Sequence, residues 1–323
     1  MKAIVYRRYG SPDVLGLGEI PKPNVRPGDV LVRVHAASVN ALDWHMMRGK
    51  PYVARFEMGL RQPKGSIPGV DMAGTVEEVG SEVTGFQPGD EVFGNKGKAC
   101  AEYVCGPVRL FVPKPANLTM EQAAAVPAAG ITAIMAIRDH GKVQAGKTVL
   151  IHGAGGGVGT FSVQLAKAFG GTVTAVTRTE NVDLVRSLGA DDVIDYTRDD
   201  FTRSGRRWDV IIDNGATRSL MAMRRALAKD GTIVLVGASK GDFVGTLARG
   251  FIGAPLLSAF GEQRIITFYA SPKREDLLVL KDLVEAGKVT PVVDRVYPLA
   301  ETADAMRYLE TMRARGKVVI RVS

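Results

Sequence analysis

The chain has 323 residues, 46% of them hydrophobic and 24% charged, which is an ordinary composition for a globular protein of about two domains. Its 42 basic and 34 acidic residues leave a formal net charge of +8, yet the basic residues are scattered, with no basic stripe interleaved with aromatic residues. These features argue against a nucleic-acid partner and, with no apolar run of about 18 residues, against a membrane span.

Neither a secretory leader nor a disulfide framework is expected. Met1–Val5 leads into a strand-like segment without the apolar core of a signal peptide, so the expected compartment is the cytoplasm. Cys100 and Cys105 are the only cysteines, too few for a disulfide framework or a cysteine-based zinc site. We expect both to be reduced structural thiols.

The first third of the sequence has the pattern of short β-strands. Apolar or alternating segments occur at Met1–Arg7, Asp29–Ala36 and Met72–Val79, and turns such as Pro88-Gly89-Asp90 punctuate them. Short strands at this spacing predict a partly closed antiparallel barrel or sandwich. Residues 46–68 have no clean period and are predicted to form a loop with a short helix.

From Thr148 the sequence alternates between apolar strands and amphipathic helices. Helices are predicted, for example, at Thr160–Phe169 and Ser219–Lys229. This alternation predicts a doubly wound parallel sheet covered by helices on both faces. The predicted strands are Thr148–His152, Thr172–Thr177, Asp192–Asp195, Asp209–Asp213, Thr232–Val236 and Arg264–Tyr269.

The last elements do not continue this rhythm. After Pro272 we predict a helix to Ala286, the segment Val292–Tyr297, a helix to Met312 and a final strand, Lys317–Val322. We expect these elements to rejoin the N-terminal domain. The predicted division is therefore a mainly β domain of residues 1–122 and 270–323, and an α/β domain of residues 123–269.

The most informative segment is the glycine loop, Gly153 to Gly159. An apolar strand runs directly into five glycines within these seven residues, and a helix follows. Such a loop lets the backbone approach a pyrophosphate closely, and the N-terminus of the helix offers free N–H groups. The strand before, the helix after and a second strand beyond favour dinucleotide binding over a merely structural turn. The predicted cofactor-binding residues here are Ala154, Gly155, Gly156, Gly157, Val158 and Gly159, with Ala154 where the fingerprint usually has its first glycine.

The end of the second strand of this α/β region predicts the choice of cofactor. In NAD enzymes an acidic residue about 20 residues beyond the glycines accepts hydrogen bonds from the ribose 2′-hydroxyl. Here Thr177 stands at that position and Arg178 follows it. A hydroxyl and a guanidinium favour the 2′-phosphate of NADPH. The alternative is that Arg178 is a solvated residue at a helix start and that Glu180 binds the ribose.

Further motifs accompany the glycine loop, and together they point to a known family. They are Lys2-Ala3-Ile4, Arg26 to Val32, Ala37-Ser38-Val39-Asn40 with Asp43, Ile67 to Gly74, Gln87 to Val92 and Gly316 to Val319. The chain resembles the medium-chain dehydrogenase/reductase superfamily over nearly its whole length, and within it the zinc-independent quinone oxidoreductase-like branch. The resemblance implies a GroES-like catalytic domain, a Rossmann domain that binds the dinucleotide, and an active site in the cleft between them.

The resemblance also implies that the zinc of related alcohol dehydrogenases is absent. At the positions of their zinc ligands this sequence has Asn40, Val70 and Ala128, and none of these offers a Cys or His donor. Without a metal, hydride transfer depends on orientation and on hydrogen-bond donors to the developing oxyanion. We therefore expect a metal-free mechanism.

The functional residues of the family map onto this sequence position by position. Asn40 corresponds to a residue beside the nicotinamide ribose and the substrate carbonyl, with a loop-capping role as the alternative. Tyr52 resembles a tyrosine at the mouth of the cleft, displaced by one residue, and an ordinary packed loop tyrosine is equally consistent with the sequence. Asp43 is a third catalytic candidate, with a structural hydrogen-bond acceptor as the alternative. Tyr196 corresponds to a tyrosine that relatives use against the 2′-phosphate. For the nicotinamide and its ribose, the corresponding residues are Thr132, Asn214, Gly215, Val236, Gly237, Ala238 and Ser239.

The predicted function is NADPH-dependent hydride transfer to a quinone or an α,β-unsaturated carbonyl compound. Two alternatives stay open: a zinc-independent alcohol dehydrogenase or carbonyl reductase, and a nucleotide-binding protein without enzymatic activity. The apolar segment Gly241–Gly261 suggests a hydrophobic substrate, a dimer surface or an ordinary buried helix. The resemblance implies a homodimer that forms through the sheet edge at Arg264–Tyr269.

Overall fold

The computed structural model describes residues 1–50, 52, 55–63, 67–236, 253–259 and 262–323. Its strands are β1 (Lys2–Val5), β2 (Gly16–Glu19), β3 (Asp29–Val39), β4 (Asp71–Val79), β5 (Glu91–Asn95), β6 (Tyr103–Pro107), β7 (Phe111–Pro113), β8 (Thr148–His152), β9 (Thr172–Thr177), β10 (Asp192–Asp195), β11 (Trp208–Asp213), β12 (Leu227–Leu235), β13 (Arg264–Thr267), β14 (Val293–Pro298) and β15 (Lys317–Arg321). Its α-helices are α1 (Ala41–Arg48), α2 (Arg55–Met58), α3 (Met120–Ala124), α4 (Pro127–Ile134), α5 (Gly157–Ala168), α6 (Val182–Ser187), α7 (Leu220–Arg225), α8 (Ala254–Ala259), α9 (Arg274–Glu285) and α10 (Thr302–Glu310). Within these ranges, no helix is long and apolar enough to cross a bilayer.

The chain divides into two compact units. The β unit comprises Met1–Ile131, Pro272–Ala286 and Pro291–Ser323. The α/β unit comprises Thr132–Ser271 and Gly287–Thr290.

A seven-stranded sheet forms most of the β unit. Its order is β14-β15-β3-β4-β5-β7, and β6 pairs with β3 as well. All these pairs are antiparallel except β14–β15, which is parallel. The long strand β3 lies in the middle, where Val32 and Val34 enter the core and Arg33 between them is exposed. The predicted mainly β, GroES-like domain is confirmed, and the parallel pair is the feature that the sequence pattern did not predict.

A six-stranded parallel sheet forms the centre of the α/β unit. Its order is β10-β9-β8-β11-β12-β13. Leu150, Val176, Ile211 and Ile233 are completely buried, one on each of four central strands. Near-continuous burial is typical of strands covered on both faces. The predicted doubly wound sheet is confirmed, and the chain reverses its direction of strand addition at β8, where such folds bind ligands.

One predicted helix of this unit is wrong in its extent. The helical pattern predicted Ser219–Lys229, but α7 ends at Arg225 and β12 begins at Leu227. Leu227 is fully buried and pairs with Trp208 of β11. Sheet pairing and core burial therefore override the local helical pattern at this point.

Candidate functional site

The glycine loop connects β8 to α5 at the carboxyl edge of the parallel sheet. Gly153 adopts a left-handed backbone conformation, with φ +76°, in which L side chains are strained. The N–H groups of Gly153 and Ala154 both donate to the carbonyl oxygen of Val176, each at 3.1 Å. The loop is therefore fixed against the end of β9.

Two glycines of the loop serve different purposes. A Cβ atom at Gly159 would lie 2.1 Å from the carbonyl oxygen of Gly153, so α5 packs too closely on the turn to accept a side chain. A Cβ atom at Gly156 would meet only the Gly153 oxygen, at 3.6 Å, and otherwise open space. Gly156 precedes α5 and offers no side-chain cap to the first N–H groups of that helix. This open, uncapped helix start fits a pyrophosphate.

Two asparagines with buried polar side-chain atoms lie on the segments that follow the neighbouring strands. Within the part of the chain that the structure describes, Asn181 Oδ1 and both polar side-chain atoms of Asn214 have no hydrogen-bond partner. A Cβ atom at Gly155 would lie 2.3 Å from Nδ2 of Asn181, so this side chain lies directly against the loop. Buried polar atoms without a partner are costly. Ribose or nicotinamide groups of a bound dinucleotide would satisfy them, so the residues present fit such a cofactor.

A buried histidine holds the segment that carries Asn214. His152 Nδ1 lies 2.7 Å from Asp213 Oδ1, and His152 Nε2 lies 3.2 Å from the hydroxyl of Thr217. Asp213 Oδ1 also accepts from the N–H of Ala216, at 3.0 Å. The N–H of Asn214 donates to the carbonyl oxygen of His152, at 3.0 Å. These bonds tie the segment after β11 to the end of β8. Gly215 belongs to the same segment, where an added Cβ atom would meet the His152 ring at 2.8 Å.

The end of β9 differs in one respect from the sequence-based interpretation. Thr177 is only 2% exposed, whereas Arg178 is half-buried and Tyr196 is 40% exposed. The N–H of Tyr196 donates to the carbonyl oxygen of Thr177, at 2.9 Å, so the two segments lie side by side. Tyr196 is thus partly exposed to solvent and Arg178 is half-buried, whereas the Thr177 side chain is buried in the protein.

An acidic residue that sequence reasoning did not consider lies beside this site. Asp195, the last residue of β10, accepts hydrogen bonds from the hydroxyl of Thr179 at 2.6 Å and from the N–H and hydroxyl of Thr197 at 3.0 and 2.8 Å. The Thr179 hydroxyl, the Thr197 donors and the nearby Arg198 guanidinium hold the pKa of Asp195 below its usual range. Its oxygens are therefore already engaged by protein donors.

The remaining candidates of the α/β unit are less informative. Thr132 lies half-buried in α4. Val236 follows β12, and its N–H donates to the carbonyl oxygen of Asp213, at 3.0 Å. Gly237, Ala238 and Ser239 lie outside the described residues, as does most of Gly241–Gly261.

In the β unit, Asn40 and Asp43 stand at the junction of β3 and α1. The N–H of Asn40 donates to Asp43 Oδ2 at 2.9 Å, and the N–H of Gly69 donates to Asp43 Oδ1 at 2.7 Å. Asp43 is 4% exposed, and this burial raises its pKa to about 7 although both backbone donors act to lower it. The two carboxylate oxygens of Asp43 therefore hold the backbone at Asn40 and at Gly69 in place.

Asp71 is the centre of a buried polar cluster around Asn40. Its Oδ2 accepts from the Ser38 hydroxyl at 3.0 Å and from Asn40 Nδ2 at 2.9 Å. Its Oδ1 accepts from Asn95 Nδ2 at 2.8 Å and from the N–H of Ala128 at 2.9 Å. Asp71 is completely buried. The carboxylate therefore organises four segments of the β unit.

Lys317 completes this cluster. Its Nζ lies 3.5 Å from Asp71 Oδ2 and donates to Asn40 Oδ1. Only 3% of Lys317 is exposed, and burial lowers its pKa while Asp71 and Asp43 act to raise it. A buried lysine and aspartate thus enclose the Asn40 amide from two sides.

Comparison with known proteins identifies the family. The domain family described as "Alcohol dehydrogenase GroES-like domain" matches residues 26–136, and the one described as "Zinc-binding dehydrogenase" matches residues 188–320. The NADPH-dependent alkenal/one oxidoreductase of Arabidopsis thaliana chloroplasts is 35% identical, over 99% of this chain and 79% of that protein. The chain belongs to the medium-chain dehydrogenase/reductase superfamily, in its quinone oxidoreductase-like branch.

Solved structures of this superfamily share the fold over the whole chain. The quinone oxidoreductase of Coxiella burnetii superposes with a TM-score of 0.85 at 31% identity, covering 100% of this chain and 99% of that one. A structure described as an NAD-dependent alcohol dehydrogenase superposes with a TM-score of 0.85 at 30% identity, covering 100% of both chains. This medium-chain dehydrogenase/reductase is an oxidoreductase.

Tyr52 occupies a surface position in this member of the superfamily. Its side chain is 66% exposed, and the Arg55 guanidinium carbon lies 4.8 Å from the centre of its ring. Among the described residues, no hydrogen bond joins Tyr52 to the cluster around Asn40.

The described residues of this superfamily member contain no group of three or more His, Cys, Asp or Glu side chains placed to hold a metal ion. Cys100 is buried and Cys105 is half-buried, and neither forms a disulfide.

Sequence reasoning missed Asn181, Asp71 and Lys317 as members of a site. Asn181 precedes α6 and has the sequence signature of a helix cap, yet it makes no capping hydrogen bond. Lys317 begins an apolar strand whose next three residues are buried. A charged residue in such an apolar run is the sequence feature that could have identified it.

Proposed function

We propose that this enzyme transfers hydride from NADPH to a quinone or an α,β-unsaturated carbonyl compound without a metal ion. The names of the Arabidopsis and Coxiella relatives support these substrate classes, and the first of them supports NADPH. The dinucleotide-binding part of this proposal rests on the open backbone at Gly156 before α5, together with the unpartnered Oδ1 of Asn181 and the unpartnered side-chain amide of Asn214.

The dinucleotide would be held along the carboxyl edge of the parallel sheet. The loop from Ala154 to Gly159 binds the pyrophosphate, and Asn181 and Asn214 bind ribose or nicotinamide groups. Arg178 and Tyr196 bind the 2′-phosphate, with Thr177 supporting that strand end. When bound, the nicotinamide supplies the hydride. Thr132, Gly215, Val236, Gly237, Ala238 and Ser239 are assigned to the nicotinamide end of the site by family correspondence.

Asn40 is the proposed hydrogen-bond donor to the substrate. An amide N–H directed at the carbonyl oxygen stabilises the negative charge that develops there as hydride is transferred. Asp43 supports Asn40 by holding its backbone N–H. We assign Tyr52 to substrate binding at the mouth of the site, in keeping with its exposed ring.

The chemistry of the cluster supports a metal-free reaction. Asn40, Val70 and Ala128 carry no Cys or His donor, and the ammonium group of Lys317 already lies 3.5 Å from Asp71. The carboxylate of Asp71 is thus already paired with a cation of the protein itself.

We also propose that the enzyme is a homodimer. Among the described strands, β13 is an edge of the parallel sheet and pairs only with β12. An unpaired edge is a template for pairing with a second copy. Size-exclusion chromatography with light scattering measures the mass directly, and a monomer at all concentrations contradicts this proposal.

A substrate and cofactor panel tests the proposed function. Oxidation of NADPH and of NADH is followed by absorbance with a quinone, an enone and a saturated ketone, before and after treatment with a chelator. We expect turnover of the quinone or the enone, a higher kcat/KM with NADPH, and no effect of chelation. Faster alcohol oxidation with NAD⁺ would support an alcohol dehydrogenase instead, in line with the second structural relative. Loss of activity on chelation that zinc restores would refute the metal-free proposal.

A further inference from the structure

Neighbouring strands of the β unit bring polar side chains together at one end of the sheet. The register of β15 on β3 places Lys317 opposite Asn40. The registers of β4 with β3 and with β5 place Asp71 beside Ser38 and Asn95. The cluster is therefore built into the pairing of four adjacent strands, and it does not depend on a flexible loop.

The two charged groups fix the orientation of the Asn40 amide. Oδ1 accepts from the Lys317 ammonium, and Nδ2 donates to Asp71 Oδ2 at 2.9 Å. A flipped amide would place its NH₂ group against the ammonium and its oxygen against the carboxylate, where neither can form a hydrogen bond. One hydrogen of Nδ2 is used by Asp71, and the other has no partner within the part of the chain that the structure describes.

A buried ion pair contributes little to stability by itself. Removing two charges from water is costly, and a well-packed apolar pair is often as stable or more so. The described contacts of Lys317 Nζ are with Asn40 and Asp71. The charge on Lys317 therefore acts on Asn40 and on its carboxylate partner.

We propose that Lys317 and Asp71 are positioning residues that hold the Asn40 amide with one N–H directed away from the ion pair, available to the substrate carbonyl oxygen. This inference rests on the proposed function, in which Asn40 is the donor. Lys317 touches neither substrate nor cofactor in this arrangement, and its effect on turnover passes through Asn40.

A double-mutant cycle on kcat tests the positioning role. Asn40→Ala removes the donor and should lower kcat by about 100-fold. Lys317→Met frees the amide and should lower kcat by about 10-fold or more, because small misplacements of a catalytic group are costly. In the Asn40→Ala background, Lys317→Met should have no further effect on kcat. Lys317→Arg keeps a donor to Asn40 Oδ1 and should restore most of the activity.

Two controls separate positioning from folding. Lys114 is a second lysine of the β unit whose side chain is only 7% exposed, with its Nζ 3.2 Å from Glu91, and it makes no described contact with the Asn40 cluster. Lys114→Met should leave kcat unchanged. The affinity for NADPH should be equal in all folded variants. If Lys317→Met fails to fold, the pair Lys317→Met with Asp71→Asn removes both charges together and takes its place in the cycle.

The outcomes distinguish this inference from the proposed function. Additive effects of Asn40→Ala and Lys317→Met with an active wild type would overturn the positioning role and leave the function standing. An inactive wild type would overturn the function. Crystal structures of the wild type and of Lys317→Met then test the inference directly, with the amide expected to turn or shift only in the variant. An unmoved amide would refute the positioning role.

Discussion

A side chain at Gly156 should abolish tight cofactor binding without unfolding the protein. Its φ of −86° is open to any L residue, and an added Cβ atom would meet only the Gly153 oxygen, at 3.6 Å. Valine at this helix-capping position should cost about 1 kcal/mol of stability, since Gly is the better cap. The same side chain fills the space in front of the first N–H groups of α5. Losing about 1.5–3 kcal/mol of charge-assisted hydrogen bonding weakens NADPH binding roughly 10- to 100-fold.

Fluorescence titration with NADPH and thermal unfolding measure these two effects separately. Gly159→Ala is the matched control, because its Cβ atom would lie 2.1 Å from the Gly153 carbonyl oxygen. It should lose about 1–3 kcal/mol of stability through overpacking, and therefore melt well below Gly156→Val. Wild-type affinity for NADPH in Gly156→Val would refute the assignment of the pyrophosphate to this loop. Unfolding of Gly156→Val would refute the open space inferred from the geometry.

Three further predictions concern cofactor choice, the unpartnered amide and pH. Arg178→Ala should lower the affinity for NADPH about tenfold or more and barely change that for NADH, since one charge-assisted contact is worth roughly 1.5–3 kcal/mol; equal losses in titrations with both cofactors would contradict the 2′-phosphate assignment. Asn214→Ala should weaken cofactor binding in the same titration and hardly lower the melting temperature of the free protein. The reason is that the side-chain amide of Asn214 has no partner among the described residues. A large loss of stability would show that this amide is structural. Burial raises the pKa of Asp43 from 3.8 to about 7, so the folded state favours the protonated carboxyl. The stability that this protonation contributes is complete below the pKa of Asp43 in the unfolded chain, and it is lost as the pH rises through about 7. The unfolding free energy of the wild type minus that of Asp43→Asn, measured with urea, should fall by about 2 kcal/mol between about pH 5 and pH 7, and a constant difference would contradict the raised pKa.

The parallel sheet was predictable because its signals are local. Thr148–His152, Thr172–Thr177 and Asp192–Asp195 were predicted with the ends that β8, β9 and β10 have in the structure. Each is a short segment that contains valine or isoleucine and lies between turn residues, and such a pattern depends on no distant part of the chain. The predicted helix Ser219–Lys229 extended too far because burial of Leu227 against its neighbours is a tertiary effect.

The cluster around Asn40 was not predictable in the same way. Lys317 and Asn40 are 277 residues apart in sequence, and they meet only because β15 pairs with β3 in one register. A shift of one residue would turn Lys317 to the other face of the sheet. The unpartnered Oδ1 of Asn181 was not predictable for a different reason, since an asparagine before a helix has the local pattern of a cap.

The side chains at the ends of β9 and β10 bear on the proposed choice of cofactor. In an NAD enzyme the acid at the end of the second strand presents free oxygens to the ribose, but here that position is the buried Thr177. The acid nearby, Asp195, lies on the next strand, where the hydroxyls of Thr179 and Thr197 already occupy its oxygens. A carboxylate satisfied in this way gains little from a ribose hydroxyl, because it would have to give up bonds that it already has. In the proposed function, discrimination between a 2′-hydroxyl and a 2′-phosphate then depends on the positive charge of Arg178, with Tyr196 as a second donor. For this reason the Arg178→Ala variant should affect the two cofactors unequally, and it tests the cofactor assignment more directly than any change at Thr177.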